Sequence, residues 1–148
     1  MMTHLPDPDR QPQFYDSVPA KRLFAWVVDS ILIFAACAVV VVLTAFVGLL
    51  IWPLLYLVIG FLYRTATLAS GSATWGMALA GIEFRNAAGE RLDGGQALWH
   101  TAGYTFSMAF PVLQVISVAL MLTSPRAQGL TDHAMGTVAL NRRAAAFR

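Results

Sequence analysis

One stretch of this chain limits its possible folds more than any other. From Ser30 to Tyr63 there are 34 residues without a single Asp, Glu, Lys, Arg or His. A helix needs only about 20 apolar residues to cross the hydrocarbon core of a bilayer, so this stretch is too long for one crossing. Only 12% of the residues in the whole chain are charged, whereas about 25% is usual for a soluble domain. The chain is therefore predicted to be an integral membrane protein.

Glycine and proline divide the apolar sequence into three segments. Gly48 and the pair Trp52-Pro53 predict that a first span at about 22–47 ends and a second span at about 50–67 begins. Residues 98–123 form a third apolar segment, which contains Pro111. We expect it to cross the membrane once with a kink at this proline. The alternative is a re-entrant path, because each half is too short to span the bilayer alone.

The sequence between the second and third segments predicts a small β-hairpin. Ile82–Arg85 alternates apolar and charged residues, Asn86–Gly89 is typical of a turn, and Glu90–Leu92 follows. The predicted fold class is thus an all-α membrane protein. It has a two-helix transmembrane hairpin, a third kinked or re-entrant apolar segment, and a short surface β-hairpin between the second and third segments.

The two ends of the chain are polar. Residues 1–18 carry three prolines and few apolar side chains, so they are predicted to be a disordered tail. Residues 19–141 would form the transmembrane domain and residues 142–148 a basic tail. Arg10, Lys21, Arg22 and Arg64 flank the same side of the first two spans, which predicts a cytoplasmic N-terminus.

Asp29 is a carboxylate inside the first span, where an ionisable group is costly and usually functional. Arg22 lies seven residues earlier, on the same helix face but about 10 Å away along the axis, so a direct pair is not expected. The candidate partners of Asp29 are the side chains of His100, Arg64 and Arg126, or a backbone cap. Three roles are open: a structural pin that accepts hydrogen bonds, a proton or cation site, and a protonated acid that is merely tolerated.

The order of three charged residues resembles the RDD family of bacterial membrane proteins. Arg22 opens the first span, Asp29 follows within it, and Asp132 precedes Gly136-Thr137 and an apolar strand. The Thr74-Trp75-Gly76 block is also similar to the family. The resemblance implies a multi-pass protein of the bacterial cytoplasmic (inner) membrane, in which Arg22, Asp29 and Asp132 meet near the cytoplasmic boundary.

Two positions depart from the family pattern. Met77 stands where the family commonly has a lysine, and Trp99-His100 stands where it often has an arginine. If those cations balance an aspartate or bind an anionic group, the role is lost here or moves to His100.

For function, the resemblance implies transport, with proton or cation exchange at Asp29. The alternative is an accessory or assembly subunit that packs against a larger membrane complex. A homo-oligomer is also open. The sequence contains no Gly-x-Ser-x-Gly, no phosphate-binding loop and no cysteine–histidine pair. Its single cysteine and scattered histidines do not form a metal-binding pattern. We therefore expect no enzymatic activity, no cofactor and no metal. We also expect no nucleic acid as a partner. The expected partners are the lipid bilayer and a proton or cation.

Overall fold

The computed structural model describes residues 4–142, a mostly helical chain with one small sheet. Its elements, in chain order, are α1 (Val18–Leu43), α2 (Trp52–Gly71), α3 (Trp75–Ala80), β1 (Ile82–Arg85), α4 (Gly94–Ala109), α5 (Pro111–Thr123), α6 (Leu130–Met135) and β2 (Val138–Asn141). Short 3₁₀ helices at Pro12–Phe14 and Val47–Ile51 precede α1 and α2.

Helices α1 and α2 are both long and apolar enough to cross a membrane. They begin near Pro19 and Pro53, whose fixed φ suits the first turn of a helix. Large apolar side chains such as Leu43 and Leu50 point outward and are 79% and 85% exposed. An outward-facing apolar surface of this kind suits lipid. The predicted spans at about 22–47 and 50–67 are thus both present, each shifted by a few residues.

The third apolar segment forms two helices that are bent by 117° relative to each other. Phe110, with φ −118° and ψ 102°, is extended between them, as is usual for the residue before a proline. Pro111 then starts α5. The chain therefore has a bent helix pair at residues 94–123, in place of a single kinked helix.

The predicted β-hairpin is wrong in its second strand. β1 pairs antiparallel with β2, in the register from Ile82 opposite Asn141 to Arg85 opposite Val138. Leu92 is instead buried, and its backbone N–H donates to Ser72 Oγ at 2.9 Å. An isolated two-stranded hairpin is weak, whereas every residue of β2 is buried in the assembled fold.

The pairing of the two strands also bears on whether the two ends of the bent helix pair lie on the same side of the membrane. β1 precedes α4 in the chain and β2 follows α5. A single crossing would place the two strands on opposite sides of the membrane, where they could not be hydrogen-bonded. The strand pairing and the 117° bend therefore favour the re-entrant path, the alternative that the sequence left open, over a single crossing.

Part of the N-terminal tail packs against the rest of the fold, whereas the sequence predicted a disordered tail at residues 1–18. Leu5, Phe14 and Tyr15 are buried and pack in one cluster with Val138 and Leu140 of β2. These three apolar side chains outweigh the polar composition of the tail. Residues 143–148 of the predicted basic C-terminal tail, and residues 1–3, lie outside the described part of the chain.

We predict that the two ends of the chain lie on the same side of the membrane. The side chain of Asn141 donates to the backbone carbonyls of Gln13 and Asp16, each at 2.9 Å, so the regions before α1 and after α5 are in contact. Reporter fusions at the N-terminus and at the C-terminus should show the same sidedness. Opposite sidedness would contradict the fold.

Candidate functional site

Asp29 is buried, and the chain surrounds its carboxylate with three hydrogen-bond donors. The Tyr63 hydroxyl donates to Oδ1 at 2.6 Å, the Thr74 hydroxyl to Oδ2 at 2.6 Å, and the Gly76 backbone N–H to Oδ1 at 2.9 Å. Asp29 itself is only 2% exposed. One side chain of α1 is thus bonded to α2 and to the start of α3.

The Thr74-Trp75-Gly76 block forms this arrangement through its local structure. Thr74 is the N-cap of α3, and its hydroxyl oxygen also accepts the backbone N–H of Met77 at 3.2 Å. Gly76 lies against the backbone of α1, where a Cβ would overlap the carbonyl oxygen of Ala25. Glycine at this position allows the N–H to reach Asp29.

Of the three candidate side-chain partners of Asp29, only Arg64 lies near it. Arg64 Nη1 is 3.9 Å from Asp29 Oδ2. The Arg64 guanidinium carbon also lies 3.8 Å from the centre of the Tyr104 ring, and the Tyr104 hydroxyl accepts the indole N–H of Trp26 at 3.0 Å. We call Asp29, Tyr63, Thr74, Gly76 and Arg64 the Asp29 centre.

Asp132 is the middle of a second polar centre and is fully buried. Arg22 Nη1 lies 2.5 Å from its Oδ2, and His100 Nε2 lies 2.8 Å from its Oδ1. The Thr137 hydroxyl and the Gly129 backbone N–H each donate to the same carboxylate at 3.0 Å. We call Arg22, His100, Gly129, Asp132 and Thr137 the Asp132 centre.

The other two predicted partners of Asp29 lie elsewhere. His100 contacts Asp132 instead, because α4 packs against α6. Its second ring nitrogen, Nδ1, is buried and has no hydrogen-bond partner among residues 4–142. Arg126 interacts with the hydroxyl of Tyr15. Met77 is buried in the apolar core.

The ionisation of Asp132 follows from its neighbours. Burial by itself raises the pKa of this carboxyl. The charge of Arg22, the hydrogen bond and charge of His100, and the Gly129 N–H outweigh burial, so the pKa lies well below its usual range. Asp132 is therefore an ionised member of a buried ion pair.

Arg22 and Asp132 thus lie in one centre and Asp29 lies in the other, whereas the sequence predicted that all three would meet. The two centres border a single cavity of about 580 Å³. α1 and α5 make little direct contact with each other, and the cavity lies between them. Its apolar walls include Leu23 and Trp26 of α1 and Val118 and Leu122 of α5. We call it the α1–α5 cavity.

Tyr63, Thr74 and Tyr104 complete the site but were not predicted from the sequence as partners of charged groups. Their hydroxyl groups, which lie in apolar helices and in the Thr-x-Gly block, were the sequence signal that could have indicated them as partners of charged groups. Within residues 4–142, no group of three or more His, Cys, Asp and Glu side chains could hold a metal ion.

Two long apolar helices, a bent helix pair and two polar centres define a small multi-helix membrane protein. The model of the RDD family matches residues 17–136 of this sequence, so the chain belongs to the RDD family. Comparison with curated proteins and with solved structures gave no match.

We predict that replacing Asp132 by Asn makes stability less sensitive to acid. Because the folded-state pKa is lowered, ionised Asp132 stabilises the fold above its unfolded value of 3.8. This contribution is lost as the pH falls below that value toward the folded-state pKa. The difference in detergent Tm between wild type and Asp132→Asn should be constant at about pH 5–7 and shrink below about pH 4.

The exposed Asp9 provides the control. Asp9→Asn should leave the pH profile of Tm close to that of wild type. If the Tm of wild type exceeds that of Asp132→Asn by the same amount at about pH 3 as at neutral pH, the ion-pair assignment is contradicted.

Proposed function

We propose that this chain is a non-catalytic protein of a bacterial cytoplasmic membrane that binds a small ligand in the α1–α5 cavity. The observation that carries the proposal is the cavity itself, with its volume of about 580 Å³. Ligand pockets are typically about 300–1,000 Å³ and combine apolar walls with a few polar groups. Here apolar residues of α1 and α5 supply the walls, and the two polar centres supply the charged groups.

We place the sheet end of the molecule, with the N-terminus, in the cytoplasm. Lys21, Arg85 and Arg142 lie at this end, close to the paired strands, and basic residues favour the cytoplasmic side. The bent pair α4–α5 would then enter the membrane from the cytoplasm and return to it. Arg64 would lie about 10 Å inside the cytoplasmic end of α2, since seven residues separate it from Gly71.

In this proposal Asp29 has a structural role and fixes the position of α1, which forms one wall of the cavity. An ionised carboxylate has about four positions at which it can accept hydrogen bonds. Three of them take donors from Tyr63, Thr74 and Gly76. A carboxylate that is bonded in this way supports the role of a structural pin, because a bound cation would have to displace donors that connect α1 to α2 and α3.

The proposal also includes a partner in the membrane. Beyond Asp29, the buried residues of α1 in the described chain are Ile33, Cys37 and Val41, which supply no polar path to the opposite face. A ligand held in the cavity would therefore be passed to, or received from, a second copy of the chain or a larger membrane complex. This gives the protein the role of an accessory subunit.

Blocking the cavity provides the test. Val118 of α5 lines the cavity and is 44% exposed, whereas Val58 of α2 does not line it and is 43% exposed. After release from membranes in mild detergent, wild type and Val58→Trp should retain a bound small molecule that native mass spectrometry detects. Val118→Trp should lose most of it, because the indole fills the cavity.

Equal retention by Val118→Trp and Val58→Trp would contradict the binding role. The same spectra report the mass of the assembly. A mass equal to that of a single chain would contradict the proposal that the protein acts together with a partner subunit.

Proton or sodium exchange at Asp29 is a second candidate, favoured by the observation that Asp29 borders the cavity. In liposomes, this function predicts a pH-gradient-driven sodium flux for wild type and only the flux of empty liposomes for Asp29→Asn. Equal flux through the two proteins would remove Asp29 from the mechanism.

A further inference from the structure

Arg64 is a buried cation whose N–H groups make no hydrogen bond within residues 4–142. We propose that the α1–α5 cavity binds the anionic headgroup of a membrane lipid at Arg64, with an acyl chain between α1 and α5. This inference rests on the proposed binding role and names the chemical class of the ligand.

Arg64 carries its N–H donors in a largely buried part of the protein. Its side chain is only 11% exposed, and Nε is buried without a hydrogen-bond partner. The nearest acidic atom, Asp29 Oδ2, is 3.9 Å away, which is an ion pair but too far for a hydrogen bond. A guanidinium has five N–H donors and cannot lose its charge. Within the described chain, Arg64 is thus a buried charge with unfilled donors, which is costly without a further partner.

Asp29 does not satisfy the N–H donors of Arg64. Both of its oxygens already accept hydrogen bonds, from Tyr63, Thr74 and Gly76. These donors hold the carboxylate against α2 and α3. Asp29 therefore offsets part of the charge of Arg64 and leaves its N–H groups available.

Tyr104 keeps the guanidinium in place without using those groups. Its ring lies against the guanidinium at 3.8 Å, and stacking of this kind leaves the N–H edge of arginine free to bind phosphate or carboxylate. The hydrogen bond from Trp26 to the Tyr104 hydroxyl, at 3.0 Å, connects this ring to α1. Three helices thus position Arg64 at the cavity wall.

The other arginine in the cavity wall is occupied. Arg22 bonds to Asp132 at 2.5 Å and to the carbonyl of Ala127 at 3.4 Å. An anion that entered the cavity would have to compete with Asp132 for Arg22 but would find free donors on Arg64. The headgroup is therefore assigned to Arg64.

Apolar side chains on both sides of the cavity suit the acyl chain of the ligand. Leu23 and Leu122 line the cavity on α1 and α5 and are 64% and 70% exposed. They belong to the outward apolar surface, so the cavity opens sideways where α1 and α5 make little contact. A ligand from the bilayer would cover this apolar surface with its acyl chain. A water-soluble anion would match Arg64 but not these apolar walls, so the combination of cation and apolar wall favours a lipid.

The test compares two lipids with the same acyl chains, anionic phosphatidylglycerol and zwitterionic phosphatidylcholine. The full chain in neutral detergent is titrated with each lipid, and retention is measured by native mass spectrometry. Glycerophosphoglycerol, the deacylated form of phosphatidylglycerol, supplies the headgroup without acyl chains. Wild type should retain phosphatidylglycerol at least about tenfold better than either of the others, because a buried guanidinium binds a phosphate monoanion by charge-assisted bonds and the walls bind the chain.

Arg64→Gln should lower phosphatidylglycerol retention to the level of phosphatidylcholine. The matched control is Arg91→Gln, which removes the same charge from a side chain that is 61% exposed and lies 3.7 Å from Glu83. It should leave retention unchanged. Undiminished phosphatidylglycerol retention by Arg64→Gln would overturn the proposal, and so would glycerophosphoglycerol binding as strong as that of the lipid.

Val118→Trp keeps the proposal testable even where Arg64→Gln does not fold, because it blocks the acyl chain without a change of charge. It should reduce phosphatidylglycerol retention about tenfold. A third outcome is that wild type retains both lipids equally and Val118→Trp retains neither. This result would overturn the preference for an anionic headgroup but leave binding in the cavity intact. If Val118→Trp retains both lipids as well as wild type does, the lipids do not bind in the cavity. This result would overturn the proposed function as well.

Discussion

The fold depends on one constraint, namely that a carboxylate inside an apolar helix must find its hydrogen-bond donors within the protein. Asp29 is such a group, and lipid can supply none of these donors. Tyr63 from α2 and the Thr74–Gly76 turn at the start of α3 provide them. The same bonds bring α3 against α1, so that β1 emerges beside the start of the first span. Arg64 lies near the same carboxylate and so faces the cavity.

A second constraint closes the molecule at its polar end. β1 and β2 need each other because neither has another strand with which to pair in the described chain. Their pairing brings both ends of the bent pair α4–α5 together, and the Asp132 centre then joins α1, α4 and α6 through Arg22 and His100. Since α5 is held by its ends and packs little against α1, a cavity remains between them. The cavity is thus a consequence of how the two polar centres are satisfied.

Local features were predictable from the sequence, because they depend on composition and on neighbouring residues. The two long spans, the strand Ile82–Arg85, and Arg22, Asp29 and Asp132 as charged groups of interest all follow from apolar runs, alternation and the family resemblance. Contacts between distant residues were not predictable in this way. β2 lies more than fifty residues after β1, and a single sequence gives no pairing signal over that distance. The partner of His100 depends on how α4 packs against α6, and the order of the N-terminal tail depends on the surface of β2.

The central claim is that Asp29 connects α1 to α3 as a hydrogen-bond acceptor, and a double-mutant cycle tests it most directly. The free energy of unfolding in detergent would be measured for wild type, Asp29→Ala, Thr74→Val and the double mutant. Because the Thr74 hydroxyl lies 2.6 Å from Asp29 Oδ2, the two substitutions should be coupled by about 1.5 kcal/mol, as for a hydrogen bond to a charged group. Effects that add to within about 0.3 kcal/mol would contradict the account.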